Sequence, residues 1–256
     1  MTVAMEKHDP AAYGRSVGAD YDALYPDPAD TQTAVSRLAE LAGSGALLEF
    51  GIGTGRLGLA LLERGVTVAG IEGSEMLAQQ LRAKRRGDEI DVVVGDFADA
   101  VASGSFSVVL LALNTIFAIS TREAQIQCFA NAARHLAPGG CFVVEAFILR
   151  GEQLEGRWYV QPRHVLDQHV ELQVARYDPA VHLIERTLVH LTPTGTRFVS
   201  VVDNYAWPGE LDLMARAAGL QLRSRWSGWD RAPFGAGSEK HVSVYELPNA
   251  ARATVT

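Results

Sequence analysis

The sequence is poor in cysteine and has no long apolar run. Its 256 residues include only two cysteines, Cys128 and Cys141, which form neither a disulfide framework nor a metal-site spacing. No apolar stretch reaches the roughly 20 residues needed to span a bilayer, and the N-terminus lacks the apolar core of a signal peptide. We therefore expect a cytoplasmic protein with no membrane partner.

Positive charge is also scarce. The chain has 23 Lys and Arg against 30 Asp and Glu, a formal net charge of -7, whereas nucleic-acid binding relies on clustered basic residues. The one basic run, at 82–86, lies at the end of a predicted helix, where a solvated cap is the expected role. We expect no nucleic-acid partner, and the composition does not indicate an oligomeric state. The hydrophobic content of 48% is ample for a sizeable core.

Strand and helix patterns alternate over the first 150 residues. Helical patterns separate five apolar runs: ALLEF, VTVAGIE, DVVVGDF, FSVVLLAL and CFVVEAF. Such alternation predicts an α/β fold with a doubly wound, mostly parallel sheet, preceded here by N-terminal helices that act as a lid. Ligands of these sheets bind outside the carboxyl ends of the strands.

The pattern changes after the fifth strand. No convincing helix occurs from Trp158 to Tyr205, and three strand-like runs follow one another: ELQVARY, HLIERTLVHL and RFVSVVDNY. They predict a small antiparallel β insertion over 151–206 that caps the acceptor. A helix and two further strands in 207–256 then complete a seven-stranded sheet whose final strand is antiparallel. The insertion holds four histidines, any of which could act as a base, but their spacing does not predict a metal site.

The stretch LLEFGIGTGRLG fits two glycine fingerprints. Gly53, Gly55 and Gly58 match the G-x-G-x-x-G pattern of a dinucleotide site, where a helix N-terminus receives a pyrophosphate. Glu49 followed by Gly51, Gly53 and Gly55 matches a different pattern, an acid before alternating glycines. The first pattern leaves a nicotinamide-dependent oxidoreductase open as an alternative.

Acids at three successive strand ends favour the second pattern. Glu49 precedes the glycine turn, where it would repel a pyrophosphate but could hold an ammonium group. Glu72 ends the second strand, where an acid commonly bonds a ribose, and Asp96 follows the third strand, where it can accept from an adenine amine. These acids suit a cofactor with an ammonium, a ribose and an adenine but no phosphate, which describes S-adenosylmethionine.

The same segments carry a family resemblance. LLEFGIGTG, VAGIEGSEML, VVGDF and LAPGG resemble, in order and spacing, the motifs of class I S-adenosylmethionine-dependent methyltransferases, over about 21–147. The resemblance implies a Rossmann-like fold. It also implies a cofactor site made of Tyr21 from the lid, Glu49, Gly51 and Gly53 at the methionine, Glu72 at the ribose, Gly73, Met76, Asp96 and Phe97 at the adenine, and Leu113 beside the methionine backbone.

The acceptor site is less defined by the sequence. An amine can lose its proton to water, whereas a hydroxyl needs a positioned base, and the catalytic candidates are Tyr21, Asn114 and Glu145. The insertion resembles that of amino-sugar N-methyltransferases, although Ala118 stands where those enzymes can carry a histidine; Trp158 and Arg163 are its substrate-binding candidates. We expect methyl transfer to N or O of a small metabolite or natural-product intermediate. A non-catalytic S-adenosylmethionine-binding regulator is the other alternative.

Overall fold

The computed structural model describes residues 9–11, 14–15, 18, 21–24 and 29–248, except for the side chains of residues 23, 24 and 152. The helices are α1 (Tyr21–Leu24), α2 (Thr31–Ala42), α3 (Arg56–Glu63), α4 (Glu75–Ala83), α5 (Arg122–His135) and α6 (Pro208–Ala217). The strands are β1 (Leu47–Phe50), β2 (Val68–Glu72), β3 (Asp91–Val94), β4 (Phe106–Leu111), β5 (Leu136–Phe147), β6 (Tyr159–Leu166), β7 (His169–Asp178), β8 (Leu183–Thr192), β9 (Gly195–Asn204), β10 (Gln221–Trp226) and β11 (Lys240–Glu246). Among the described residues, no helix has the length and apolar character needed to cross a bilayer.

A seven-stranded sheet forms the centre of the molecule, in the order β10-β11-β5-β4-β1-β2-β3. Strands β1 to β5 pair in parallel, and β11 runs antiparallel to β5. Successive side chains of β1 enter opposite faces of the sheet, so Leu48 and Phe50 join one apolar cluster and Leu47 joins the other. The predicted doubly wound, mostly parallel sheet with an antiparallel final strand is confirmed.

A separate antiparallel sheet follows β5, with strand order β6-β7-β8-β9. The sequence predicted three of its strands and missed β6. That strand lies at the edge, its side chains are largely exposed, and its register shifts between Pro162 and His164. Proline is confined to edge strands and bulges because it cannot donate to the ladder. An exposed, proline-interrupted strand therefore lacks the alternation by which the other three are recognised.

The short helix α1 is held over the glycine turn. Asp22 accepts a hydrogen bond from Thr54 Oγ1 at 2.6 Å and pairs with Lys84 Nζ at 2.6 Å. Burial raises the pKa of Asp22, but the contacts with Lys84 and Thr54 outweigh it, and the pKa is lowered overall. Part of the basic run at 82–86 is thus tied into the fold, where the sequence predicted only a solvated cap.

Candidate active site

The turn between β1 and α3 requires glycine. Gly51, Gly53 and Gly55 have φ angles of 68°, 57° and 84°, a region that other residues adopt only at a cost. A Cβ added to Gly53 would meet nothing nearer than the Gly51 carbonyl oxygen at 4.0 Å, whereas one added to Gly51 would lie 2.8 Å from the Thr115 side chain. The open side of Gly53 leaves room for a ligand to approach the backbone.

Gly58 has a different surrounding. It lies inside α3, and an added Cβ would stand 3.0 Å from Ile52 Cδ1 and 3.3 Å from Glu49 Oε2. Its small size therefore serves packing between the helix and the acid below it. The third glycine of a dinucleotide fingerprint also serves close helix–strand packing, so this position does not distinguish the two fingerprints.

Glu49 is buried beneath the turn. Burial raises its pKa to about 8, opposed by the Arg56 guanidinium and the Gly58 backbone N–H and reinforced by the Glu72 carboxylate. Its Oε2 accepts no hydrogen bond of normal geometry within the part of the chain that the structure describes, although the Gly58 backbone lies close by. Because an unpaired buried carboxylate oxygen is costly, this atom fits the ammonium group of an amino-acid moiety.

Glu72 ties the glycine turn to the start of α4. Its Oε2 accepts from the Gly53 backbone N–H and its Oε1 from the Ser74 backbone N–H, both at 2.8 Å. Burial raises the pKa of Glu72, and the backbone amides that donate to it oppose this rise without cancelling it, so the pKa is raised overall. Each carboxylate oxygen can accept a second hydrogen bond, so the ribose hydroxyls expected here would add to these amides. A Cβ on Gly73 would lie 2.3 Å from the Pro10 carbonyl oxygen, which shows that the N-terminal segment covers this edge.

Three of the four residues expected at the adenine, Met76, Asp96 and Phe97, differ in exposure. Asp96 is half-buried, and its Oδ1 accepts from the Ala98 backbone N–H at 2.8 Å. Phe97 is buried and stacks on Phe50 with ring centroids 6.1 Å apart, so most of its ring belongs to the core. Met76 is half-buried on α4. The assignment of these three residues to the adenine stays a prediction.

The end of β4 is strained. Leu113 and Asn114 have φ angles of 53° and 67°, and a leucine in the left-handed region is a true outlier. Asn114 Oδ1 accepts from the Phe147 backbone N–H at 2.7 Å, and the Asn114 N–H donates to the Glu145 carbonyl oxygen at 3.1 Å. Such strain persists where the surroundings enforce it, often at functional sites.

Glu145 is buried at the end of β5 and accepts from three donors. Its Oε2 accepts from the Leu113 backbone N–H at 3.2 Å, while its Oε1 accepts from Trp229 Nε1 at 3.0 Å and Lys240 Nζ at 3.1 Å. Burial lowers the pKa of Lys240, but the carboxylates of Glu145 and Asp30 more than compensate, and its pKa is raised. Lys240 stays cationic, and the pair is held as a fixed structural unit.

A cleft of about 660 Å³ opens beside this pair. Phe147 and Lys240 line it, together with part of the loop at 227–239. The sequence analysis missed Trp229 and Lys240. The sequence did contain a signal for Lys240. An antiparallel final strand begins at the edge of the sheet where the parallel strands end, so its first residue lies at that edge.

The remaining predicted residues lie elsewhere. Tyr21 packs with Leu77 of α4 and with Leu188 and Val199 of the insertion. Trp158 is 58% exposed and stacks under the Arg176 guanidinium at 5.5 Å. Arg176 alternates with the buried Ala175 and Tyr177 along β7, so this pair lies on the outer face of the insertion. Arg163 is exposed at the bulge of β6.

Known proteins resemble this chain over most of its length. A family model described as a methyltransferase domain matches residues 47–140. The structure of the CcbJ methyltransferase from Streptomyces caelestis is 34% identical, with a TM-score of 0.87, over 94% of this chain and 100% of that one. The cypemycin N-terminal methyltransferase of a Streptomyces species is 28% identical over 93% of this chain and 98% of its own.

A more distant solved structure shares the fold and carries the cofactor. It is an S-adenosylmethionine-bound amino pentose methyltransferase from Micromonospora echinaspora, 22% identical with a TM-score of 0.67, over 88% of this chain and 95% of that one. These matches favour the methyltransferase hypothesis over an oxidoreductase and over a non-catalytic regulator. The chain therefore belongs to the class I S-adenosylmethionine-dependent methyltransferases and is an enzyme that uses S-adenosylmethionine as its cofactor.

Proposed function

We propose that this enzyme methylates an amine nitrogen of a small natural-product intermediate. The observation that carries the choice of nitrogen is the state of Glu145. All three of its short contacts are with donors, one of them the Lys240 ammonium. These contacts commit the carboxylate to Lys240, Trp229 and the backbone of Leu113, and a change at Glu145 would leave the buried Lys240 ammonium without this partner.

Asn114 does not supply a base either. Its amide oxygen is bound to the Phe147 backbone N–H, and a carboxamide does not take up a proton near neutral pH. Both residues therefore act as positioning groups at the ends of β4 and β5. An amine that has already lost its proton to water can react in such a site, whereas a hydroxyl acceptor would need a base.

Glu49, Gly53 and Glu72 would hold the cofactor, by the unpaired buried oxygen of Glu49, the open side of Gly53 and the remaining lone pairs of Glu72. When bound, S-adenosylmethionine supplies an electrophilic methyl group. The protein's task is then to hold the nucleophile in line with that group and to exclude water, which accounts for a large part of the barrier in such displacements.

We place the acceptor in the cleft beside Phe147 and Lys240, at the carboxyl edge of the core formed by 1–150 and 207–256. The insertion, 151–206, would cap it. Asp30 and Glu145 both pair with Lys240, so charged side chains of both signs lie beside this cleft. The name of the cypemycin N-terminal methyltransferase points to an amino terminus as the target of that relative, which supports the choice of nitrogen.

The test uses S-adenosylmethionine with a deuterated methyl group and paired acceptors. Each pair differs only at nitrogen: a short peptide with a free amino terminus and its N-acetylated form, and an amino sugar and its hydroxyl analogue. We expect label only in the members with a free amine, with fragmentation placing it on nitrogen. Gly53→Val is the control that removes cofactor binding. Label on the hydroxyl analogue, or on carbon, would contradict the proposal.

A further inference from the structure

The inner face of the insertion carries a row of polar side chains that the cofactor site does not use. Strand pairing aligns His164 with Glu171, Glu171 with His190, and His190 with Arg197 across the four strands. His169 lies two residues before Glu171 and so on the same face of β7. Glu171 and His190 are 3% and 2% exposed, which is rare for such residues unless they are paired.

Three of these side chains bring ligand atoms together. His169 Nε2 lies 3.1 Å from His190 Nδ1, which lies 3.6 Å from Glu171 Oε2, and all three ligand atoms lie within 4.8 Å of one another. An ion bonded at the usual zinc distances of about 2.0–2.1 Å would subtend about 98° between the two imidazole nitrogens and about 120° between His190 Nδ1 and Glu171 Oε2. These values bracket the tetrahedral angle.

Protonation of the two imidazoles does not give all three ligand atoms a hydrogen-bond partner. Only one proton can lie between His169 Nε2 and His190 Nδ1, and in either tautomer it is shared by the two rings. Glu171 Oε2 then receives no donor, and it has no hydrogen-bond partner among the residues that the structure describes. A buried carboxylate oxygen facing imidazole nitrogens is costly, and a cation in the gap would accept the lone pairs of all three atoms at once.

We propose that His169, Glu171 and His190 bind a divalent transition-metal ion of the zinc type. Two imidazoles and one carboxylate match the ligands of such ions, whereas Ca²⁺ and Mg²⁺ prefer oxygen ligands throughout. Three protein ligands leave one position of a tetrahedral ion for water or for an atom of the acceptor. Arg197 lies opposite His190 in the strand pairing and adds a positive charge beside the cluster.

The sequence spacing did not predict this site, because His169 and His190 are 21 residues apart and strand pairing alone brings them together. The site belongs to the insertion and lies outside the residues assigned to the cofactor. On the same face, Leu188 and Val199 pack with Tyr21 and Leu77. A bound ion would therefore stabilise the sheet that contacts the lid, and it would raise the melting temperature of the whole protein.

The experiment uses untagged full-length protein, stripped with a chelator and titrated with Zn²⁺ by calorimetry. We expect one ion per chain, a higher melting temperature with zinc, and four-coordinate absorption bands when Co²⁺ replaces it. Glu171→Gln and His190→Gln should each weaken zinc binding by at least about tenfold. His182→Gln is the matched control, since His182 belongs to the same insertion but faces Glu210 at 3.3 Å, and it should bind zinc like the wild type.

Three results would overturn the proposal: less than one equivalent of zinc in the wild type, equal affinity in both ligand variants, or an equal loss in His182→Gln. If the ligand variants fail to fold by circular dichroism, the cobalt spectrum of the wild type decides, and the absence of four-coordinate bands refutes the site. These readouts do not depend on methyl transfer. A failure of the zinc proposal can therefore be told apart from a failure of the proposed amine methylation, since either assay can succeed while the other fails.

Discussion

Glu49 should release a proton when the cofactor binds. The carboxyl group is buried, and its pKa of about 8 means that about nine tenths of it is protonated at pH 7 in the free protein. The cofactor's ammonium group, placed beside the unpaired Oε2, would favour the carboxylate and return its pKa toward the ordinary value of 4.5. Binding near neutral pH should therefore be coupled to the loss of almost one proton.

The size of the effect follows from the fraction of Glu49 that is ionised before binding. That fraction rises about 50-fold between about pH 6 and pH 8, so cofactor affinity should rise by up to about 50-fold, or about 2 kcal/mol, over the same interval. The stability of the free protein depends on pH in the opposite direction to the cofactor affinity. Since the folded-state pKa lies above the unfolded value, the free protein gains stability from this group below about pH 4.5 and loses it as the pH rises through about 8.

Calorimetry in buffers of different ionisation enthalpy measures the protons released, and a pH series gives the affinity. Glu49→Gln should abolish the release and flatten the profile, whereas Glu63→Gln, which changes an exposed acid at the end of α3, should leave both unchanged. S-adenosylhomocysteine, which has the same ammonium group but a neutral sulfur, should release the same proton. A flat affinity profile in the wild type would refute the assignment of Glu49 to the ammonium group.

Three further predictions concern the turn, the buried pair and the insertion. Gly53→Val should abolish cofactor binding by calorimetry with native circular dichroism, since a branched residue at φ 57° would be strained and would fill the ligand's space. Gly58→Ala should be milder, because its methyl group would meet Ile52 and Glu49 inside the packing; a larger loss of binding in Gly58→Ala than in Gly53→Val would contradict the assignment of the open backbone site to Gly53. Glu145→Gln should lower the free energy of unfolding by about 1–3 kcal/mol in urea titrations, because one buried donor loses its charged acceptor; an unchanged midpoint would contradict this. Trp158→Ala and Arg163→Ala should leave cofactor affinity within about threefold, and since the Trp158 ring stacks on the outer face, Trp158→Ala should also keep the acceptor's Michaelis constant; a large change in either quantity would move β6 into the site.

The sequence predicted the fold well where burial shapes the residue pattern. The parallel strands beside the cofactor are apolar runs because helices cover both faces of the sheet, and the glycines after β1 mark the turn. Strand β6 was missed because its exposed residues and Pro162 erase the alternation. Pairing with β7, and not its own composition, holds it in place.

The candidate site was predicted unevenly for a related reason. Cofactor residues follow strands that are consecutive in sequence, so their motifs are local and readable. The partners of Glu145 lie 84 and 95 residues away, at Trp229 and Lys240, and only the antiparallel final strand returns them to the same edge. Long-range contacts of this kind leave no spacing in the sequence.

Donor contacts separate acids that the sequence could not distinguish. Glu49, Glu72 and Glu145 each lie near the end of a central strand and are almost fully buried. Glu145 is bound by an ammonium, an indole and a backbone amide, whereas Glu72 accepts two backbone amides at short distance and Glu49 keeps an oxygen without a partner. Glu72 accepts from neutral backbone amides at the glycine turn, whereas Glu145 is already paired with an ammonium group. Glu49 and Glu72 are therefore suited to bind the cofactor, and Glu145 is suited to fix the backbone beside the acceptor, where a positioned amine needs no base.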